Sequence, residues 1–93
     1  MPMIELVFKN WTFQRVPTES FFVGVLEKGV RILKLKKKPE LSVNIVGEAK
    51  MRSLNKKHRN KDRSTDVLSF PLGDGNGDIF IYLSIAKNEA KRE

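Results

Sequence analysis

The chain is short and basic: 93 residues, 40% of them hydrophobic, with a formal net charge of +7. This length predicts one small domain with a modest core, because such chains bury only about 60 to 65% of the surface that their unfolded form exposes. No stretch approaches the ~20 apolar residues of a membrane span, and no secretory pattern opens the chain, so the sequence predicts a protein that neither spans a membrane nor is exported. The absence of cysteine excludes disulfides and thiolate metal sites and is typical of the cytoplasm. The positive charge favours an anionic partner, which could be RNA, anionic lipid or an acidic protein surface.

The first half of the chain has the pattern of a strand, a helix and a second strand. Alternating apolar residues predict the first strand over residues 4–8, and Trp11 and Phe13 are expected to cover its exit. Apolar residues at helical spacing predict a helix that begins at Thr18 as N-cap and continues to about Lys37. Alternation predicts the second strand over residues 41–45. Because a helix connects the two strands, they are predicted to pair in parallel.

The second half has the pattern of a helix, two strands and a third helix. The helix is predicted over residues 48–59, and nearly continuous apolar runs at 67–70 and 79–83 predict two strands that are buried on both faces and joined by a glycine-rich turn. Ser84 is predicted to cap the third helix. The order strand-helix-strand-helix-strand-strand-helix predicts an α+β fold with a mixed four-stranded sheet, in a single domain over residues 1–93.

Cations are concentrated around the end of the second predicted helix. Between residues 50 and 63 there is one acid, Asp62, among the cations Lys50, Arg52, Lys56, Lys57, Arg59, Lys61 and Arg63. Such cations neutralise phosphates and release counterions, which supplies sequence-independent affinity for RNA. A solvated, lysine-rich helix face has the same composition, so the cluster by itself leaves both interpretations open.

Arg59 is the cation best suited to hold a phosphate, because its planar guanidinium can bind two oxygens at once. The structural alternative is an arginine at a helix end that bonds the last carbonyls or pairs with Asp62 or Asp66. His58 is the only histidine, and it is predicted to pack or cap, since catalytic zinc normally takes three protein ligands.

The segment from residue 55 to residue 79 resembles the signature of the YbeY family of bacterial rRNA-maturation endoribonucleases. In that family an Asn-x-x-aromatic-Arg helix end leads into a Thr-Asp/Asn-Val-Leu-Ser-Phe-Pro strand and then a Gly-Asp-Ile step. The matching residues here are Asn55, His58, Arg59, Thr65 to Pro71 and Gly77 to Ile79. The resemblance implies a zinc-dependent, single-strand-specific endoribonuclease that acts in rRNA maturation and ribosome quality control. Its implied partners are single-stranded or ribosomal RNA and the ribosome.

The resemblance also implies roles for individual residues. Arg59 matches a family arginine that lines the active-site cleft, so we expect it to be catalytic through contact with the substrate or the transition state. The residues expected to bind substrate are Lys56, Lys57, Arg59, Lys61, Arg63, Thr65, Asp66 and Ser69.

The metal motif of the family would lie further along than Glu93. In the complete family member, three histidines of a His-Gly-x-x-His-x-x-Gly-x-Asp-His motif are expected to hold zinc. Residues 1–93 are therefore expected to form the N-terminal portion of a YbeY-like domain that stops within its third helix. We expect this portion to bind no metal through its own residues and to be inactive alone.

Other functions remain open on the sequence alone. One is a non-catalytic RNA- or ribosome-binding module that uses the basic face, and another is a peptide-binding domain that offers a sheet edge to an extended segment. Because only two full helices are predicted to cover the sheet, we expect Leu68, Phe70, Phe80 or Tyr82 to be partly uncovered. Such an apolar face predicts self-association.

Overall fold

The protein is built on a mixed β-sheet with helices on both faces. The computed structural model describes residues 5–17, 20–33, 40–73 and 76–91. In these ranges the elements are β1 (Glu5–Asn10), α1 (Ser20–Ile32), β2 (Glu40–Ile45), α2 (Glu48–Arg59), β3 (Val67–Gly73), β4 (Asn76–Ile81) and α3 (Leu83–Lys91). The strand order is β1-β2-β4-β3, in which β3 alone is antiparallel to its neighbour. This arrangement confirms the predicted α+β class, the element order and the parallel pairing of the first two strands.

One face of the sheet is covered by α1 and α3. Successive side chains of a strand point to opposite faces, so alternate residues of β2 and β4 meet these helices. The buried residues of this core are Phe22, Val25, Leu33, Leu41, Val43, Ile45, Val67, Ile79, Ile81, Leu83 and Ala86. The main apolar core of the described chain therefore lies between the sheet and α1.

The other face is covered by α2, and only in part. Met51 of α2 is fully buried and packs with Leu68 of β3, whereas Phe70, Phe80 and Tyr82 are half-buried. The expectation of a partly uncovered apolar face is confirmed for these three aromatic residues. The prediction that the strands over residues 67–70 and 79–83 are buried on both faces is therefore wrong at Phe70, Phe80 and Tyr82. No helix within the described ranges has both the length and the apolar character needed to cross a membrane.

The boundary between β4 and α3 differs from the prediction. β4 begins earlier than predicted, in the glycine-rich segment, and ends at Ile81, which pairs with Ile45, the last residue of β2. Leu83 begins α3, so Ser84 lies inside the first turn and the prediction that it caps the helix is wrong. Tyr82 takes the capping position: its N–H donates to the carbonyl of Asp66, and its carbonyl accepts the first helical hydrogen bond of α3.

The helix α1 ends earlier than predicted. It stops at Ile32, and the N–H of Leu33 donates to the carbonyl of Val30 at 3.0 Å in a closing turn. The Leu33 side chain is 4% exposed, so the turn inserts an apolar side chain into the core instead of extending the helix. The predicted cap at Thr18 and the predicted helix end at Lys37 lie outside the described residues.

The exit of β1 is not covered by aromatic side chains as the sequence predicted. Trp11 is 67% exposed and Phe13 is fully exposed. The N–H of Trp11 donates to the carbonyl of Ile45 at 2.9 Å, and its Nε1 donates to Oδ1 of Asn44 at 3.1 Å. Hydrogen bonds to β2 therefore hold the indole at the sheet, in place of burial. Residue 4 of the predicted first strand is outside the described residues.

Candidate nucleic-acid interface

The last turn of α2 and the loop after it carry exposed cations. Asn60 adopts the left-handed conformation with φ 55°, and its N–H donates to the carbonyl of Lys56 at 3.1 Å. This cap ends the helix where cations are favourable, because the C-terminus carries the negative end of the helix dipole. We call the exposed cations at this end of the helix the basic surface: Lys56, Lys57, Arg59, Lys61 and Arg63.

Asn55 fixes the loop that follows the helix. Its side chain is 1% exposed, and Nδ2 donates to the carbonyl of Arg63 at 2.8 Å, while the N–H of Lys61 donates to the carbonyl of Asn55 at 3.3 Å. Its Oδ1 is buried and has no hydrogen-bond partner among the described residues. This role of Asn55 was not predicted from the sequence. The available signal was the helical spacing from Met51, which places Asn55 on the buried stripe.

The acids that could neutralise Arg59 are paired with other cations. Nε of Arg52 donates to Oδ1 of Asp62 at 2.8 Å, and Nζ of Lys28 donates to Oδ2 of Asp66 at 3.1 Å. The hydrogen bond and the positive charge of Arg52 lower the pKa of Asp62 below its usual range, and the same contact raises the pKa of Arg52. Asp62 and Asp66 are therefore each paired with a cation that lies outside the last turn of α2.

Arg59 is left with an exposed guanidinium. Neither Asp62 nor Asp66 pairs with it, and no other ion pair or side-chain hydrogen bond joins it to the residues that the structure describes. Backbone N–H groups, not this side chain, bond the carbonyls of Asn55 and Lys56 at the helix end. The contacts that a purely structural role would require are thus supplied by other groups.

Thr65, Asp66 and Ser69 make contacts at the beginning of β3 and towards α1. Oγ of Ser69 donates to the carbonyl of Gly29 at 3.0 Å, on the face opposite to α2. The carboxylate of Asp66 accepts hydrogen bonds from Lys28, from the N–H of the next residue at 2.9 Å and from Oγ1 of Thr65 at 3.3 Å. These contacts order the start of β3 and place Ser69 on the other side of the sheet from Arg59. Substrate binding by these three residues stays a prediction.

His58 packs against the sheet, as the sequence predicted. Its ring centroid lies 4.6 Å from that of Phe70, which in turn lies 5.7 Å from that of Phe80.

The zinc implied by the family does not fit the metal-binding side chains that this chain offers. The sequence has one histidine and no cysteine, and the described residues hold no group of three or more His, Cys, Asp or Glu that could bind a metal. The described residues therefore offer no zinc site of the kind that the family implies, and the expectation that this chain binds no metal stays a prediction.

The comparisons with known proteins all indicate the same family. The sequence model of the family described as Endoribonuclease YbeY matches residues 6–93. The protein named Endoribonuclease YbeY from Oenococcus oeni is 37% identical over 78 residues, which are 72% of this chain and 51% of the relative. The protein of that name from Anaeromyxobacter sp. is 45% identical over 60 residues, 58% of this chain and 31% of the relative. The one from Aquifex aeolicus is 43% identical over 58 residues, 56% of this chain and 39% of the relative.

The fold and the interface together define an α+β domain with exposed cations at one helix end, an arrangement typical of proteins that bind phosphate-rich partners. The chain belongs to the YbeY family, because the family match covers nearly all of it. It spans about half or less of the length of these curated relatives.

Proposed function

We propose that this chain is the RNA-binding part of an endoribonuclease that acts in ribosomal RNA maturation in the cytoplasm, and that the basic surface holds the phosphate backbone of single-stranded RNA. The family and the names of the matched relatives support the reaction class. The observation that carries the proposal is the exposed guanidinium of Arg59, since the acids within its sequence neighbourhood are already paired with Arg52 and Lys28.

The cations of the basic surface have different tasks in this proposal. Lys56 and Lys57 act as point charges that neutralise phosphates, so their contribution falls as salt rises. Arg59 holds one phosphate through two N–H groups. The hydrogen bonds from these groups strengthen as negative charge builds on the phosphate oxygens in the transition state. Asp66 and Thr65 serve by ordering the chain between the basic surface and β3.

Activation of the attacking water is assigned to no residue of this chain. Zinc dependence and activity on the ribosome enter the proposal through the family alone, because the residues at hand do not supply a zinc site. The chain is expected to be inactive alone, so the alternative is tested on a chain extended with a segment that carries the three family histidines. If the extended chain binds RNA through the basic surface but cleaves none in the presence of zinc, the non-catalytic RNA- or ribosome-binding module is the better assignment.

The proposal is tested by comparing Arg59→Ala with Arg31→Ala. Arg31 is a matched control, because it is an exposed arginine in the last turn of α1. We expect Arg59→Ala to weaken binding of a labelled single-stranded RNA by about 10- to 100-fold, the range for a lost charge-assisted hydrogen bond. Arg59→Lys should recover part of this loss, since lysine keeps the charge without the fork of donors.

The measurements are RNA affinity by filter retention and the melting temperature of each variant. Arg59→Ala should leave the melting temperature unchanged, because the described structure gives this side chain no stabilising partner. Equal affinities of the Arg59→Ala and Arg31→Ala variants would show that Arg59 does not contact the phosphate backbone.

A further inference from the structure

Trp11 is exposed, yet its orientation is fixed. It is the only tryptophan of the chain, and 67% of its surface is accessible. Nε1 donates to Oδ1 of Asn44 at 3.1 Å, and Asn44 is itself 6% exposed, with its Nδ2 donating to Oγ of Ser42 at 2.9 Å. A buried amide therefore holds the edge of an indole that remains open to solvent. An aromatic ring held in this way loses little conformational entropy when a second ring stacks on it.

The indole forms one wall of a groove on the α2 face of the sheet. The groove has a volume of about 460 Å³ and is lined by Trp11, Asn44, Val46, Gly47, Lys50 and Phe80. The lining also includes Val46 and the half-buried Phe80, so both aromatic and aliphatic groups border the space. Its chemistry suits a flat ring that carries polar groups on its edge.

One lysine lies over the indole ring and another lines the groove. Nζ of Lys9 lies 5.8 Å from the centroid of the Trp11 ring, and exposed Lys50 lines the groove from α2. Lys50 is also on the same helix as Lys57 of the basic surface, about 10 Å away along the helix axis at 1.5 Å per residue. A few linked nucleotides span this length. Charge complementarity therefore favours an anionic chain that carries aromatic rings over an uncharged apolar segment.

We propose that the groove beside Trp11 is a stacking site for one unpaired base of single-stranded RNA, with Lys9 and Lys50 binding the phosphates on either side of that base. This inference rests on the proposed function and deepens it. A base can stack on the indole only when it has left its own helix, so the site selects single-stranded over duplex RNA. The competing occupant is a second copy of the chain, as the predicted self-association would require.

The single tryptophan makes stacking measurable without any substitution. Titration with a short single-stranded RNA should quench the indole fluorescence in a saturable manner, because the base lies against the ring. The same sequence as a duplex, or inorganic polyphosphate, should bind the cations and leave the fluorescence nearly unchanged. Quenching of equal size by polyphosphate would overturn the stacking site.

Substitutions then separate this site from the basic surface. Trp11→Ala should weaken binding of single-stranded RNA by about 5- to 100-fold, the range for one lost base–aromatic stack. Trp11→Phe should lose less, because it keeps a ring that can stack while it lacks the N–H that bonds Asn44. Phe13→Ala is the matched control: this aromatic residue is fully exposed two positions further on, and its loss should not change the affinity.

The outcomes distinguish the two proposals. If Arg59→Ala weakens binding while Trp11→Ala and Trp11→Phe bind like the unchanged protein and no quenching occurs, the stacking site is wrong and the proposed function stands. If the unchanged protein binds no RNA, both fail. Quenching that grows with protein concentration in the absence of RNA assigns the groove to a second copy of the chain and overturns the inference. The fluorescence result does not depend on whether Trp11→Ala folds.

Discussion

Arg52 and Arg59 lie on the same helix, yet only Arg52 has an acid as its partner. The short contact between Nε of Arg52 and Asp62 neutralises one charge on the middle of α2. Arg59, at the end of the same helix, forms no ion pair with an acid among the described residues. The positive field of α2 is therefore strongest at its C-terminus, where the basic surface begins. This distribution gives a phosphate chain one preferred place of contact instead of a uniformly charged helix.

The ion pair between Arg52 and Asp62 can be tested through the pKa of Asp62. We expect this pKa to lie below the usual carboxyl range and to return to it in Arg52→Gln, whereas Arg31→Gln should leave it unchanged. The pair stabilises the folded chain at pH values above the unfolded-state pKa, and this contribution is lost as the pH falls through the lowered pKa. Both side chains are exposed, so the melting temperature should hardly respond. Carbon-detected NMR titration measures the pKa directly, and an ordinary value in the unchanged protein would contradict the pair.

At the level of elements, α1 lies very close to the sheet at Gly29. A Cβ placed there would be 2.9 Å from Cγ2 of Ile79 and 3.1 Å from Oγ of Ser69, whereas a Cβ at Gly24 of the same helix would meet nothing within 4 Å. Alanine favours a helix over glycine by about 1 kcal/mol at either position. Close packing therefore requires glycine at position 29, whereas Gly24 only lowers the helix propensity of α1.

Alanine substitution at the two glycines should change stability in opposite directions. We expect Gly24→Ala to raise the free energy of unfolding by up to about 1 kcal/mol. Gly29→Ala should lower it by about 1–3 kcal/mol, because the methyl group overpacks the helix–sheet contact and disturbs the hydrogen bond from Ser69. Urea denaturation followed by circular dichroism measures both values. A stabilising effect of both substitutions would show that α1 does not approach β3 and β4 this closely.

The helices and strands were predictable because their signals are local. Periodicity and helix-stop residues identified α2 and the parallel strands β1 and β2 within a residue or two. The wrong cap at Ser84 arose because Leu83 was assigned to a strand from its apolar character, although it begins a helix whose capping position is the backbone of Tyr82. An apolar run does not show where strand pairing ends, since that depends on the partner strand.

The residues of the candidate interface could be predicted from the sequence, but the ion pairs and hydrogen bonds that they form could not. The cluster of cations is visible in the sequence, but which of them is free depends on contacts between distant residues. Lys28 of α1 pairs with Asp66, which is 38 positions further along the chain, and Trp11 donates to Asn44, which is 33 positions further along. Local sequence patterns do not indicate such contacts. Trp11 was therefore predicted to cover the exit of a strand, and the groove beside it was not predicted.

At the scale of the whole molecule, the α2 face combines two features. The basic surface lies at one end of α2, and the groove beside Trp11 lies near its beginning, where Gly47 and Lys50 line it. The opposite face is filled by the core under α1 and α3. A strand of RNA on the α2 face could contact both features at once, which would link affinity from charge to selectivity from stacking.

Charge reversal distinguishes binding by the basic surface from attraction by the net charge of +7. The double variant Lys56→Glu with Lys57→Glu and the control Arg15→Glu with Arg31→Glu lower this net charge by the same amount, and all four residues are exposed. Only the first pair removes phosphate contacts in our proposal, so it should flatten the slope of log affinity against log salt by about 1.4, at roughly 0.7 for each lost contact with a single strand. The control pair should reduce the association rate through weaker long-range steering and leave the slope close to that of the unchanged protein. Affinity measured at several salt concentrations gives the slopes. Equal slopes for the two double variants would assign RNA binding to the overall charge of the molecule, and the basic surface would lose its role as the site of contact.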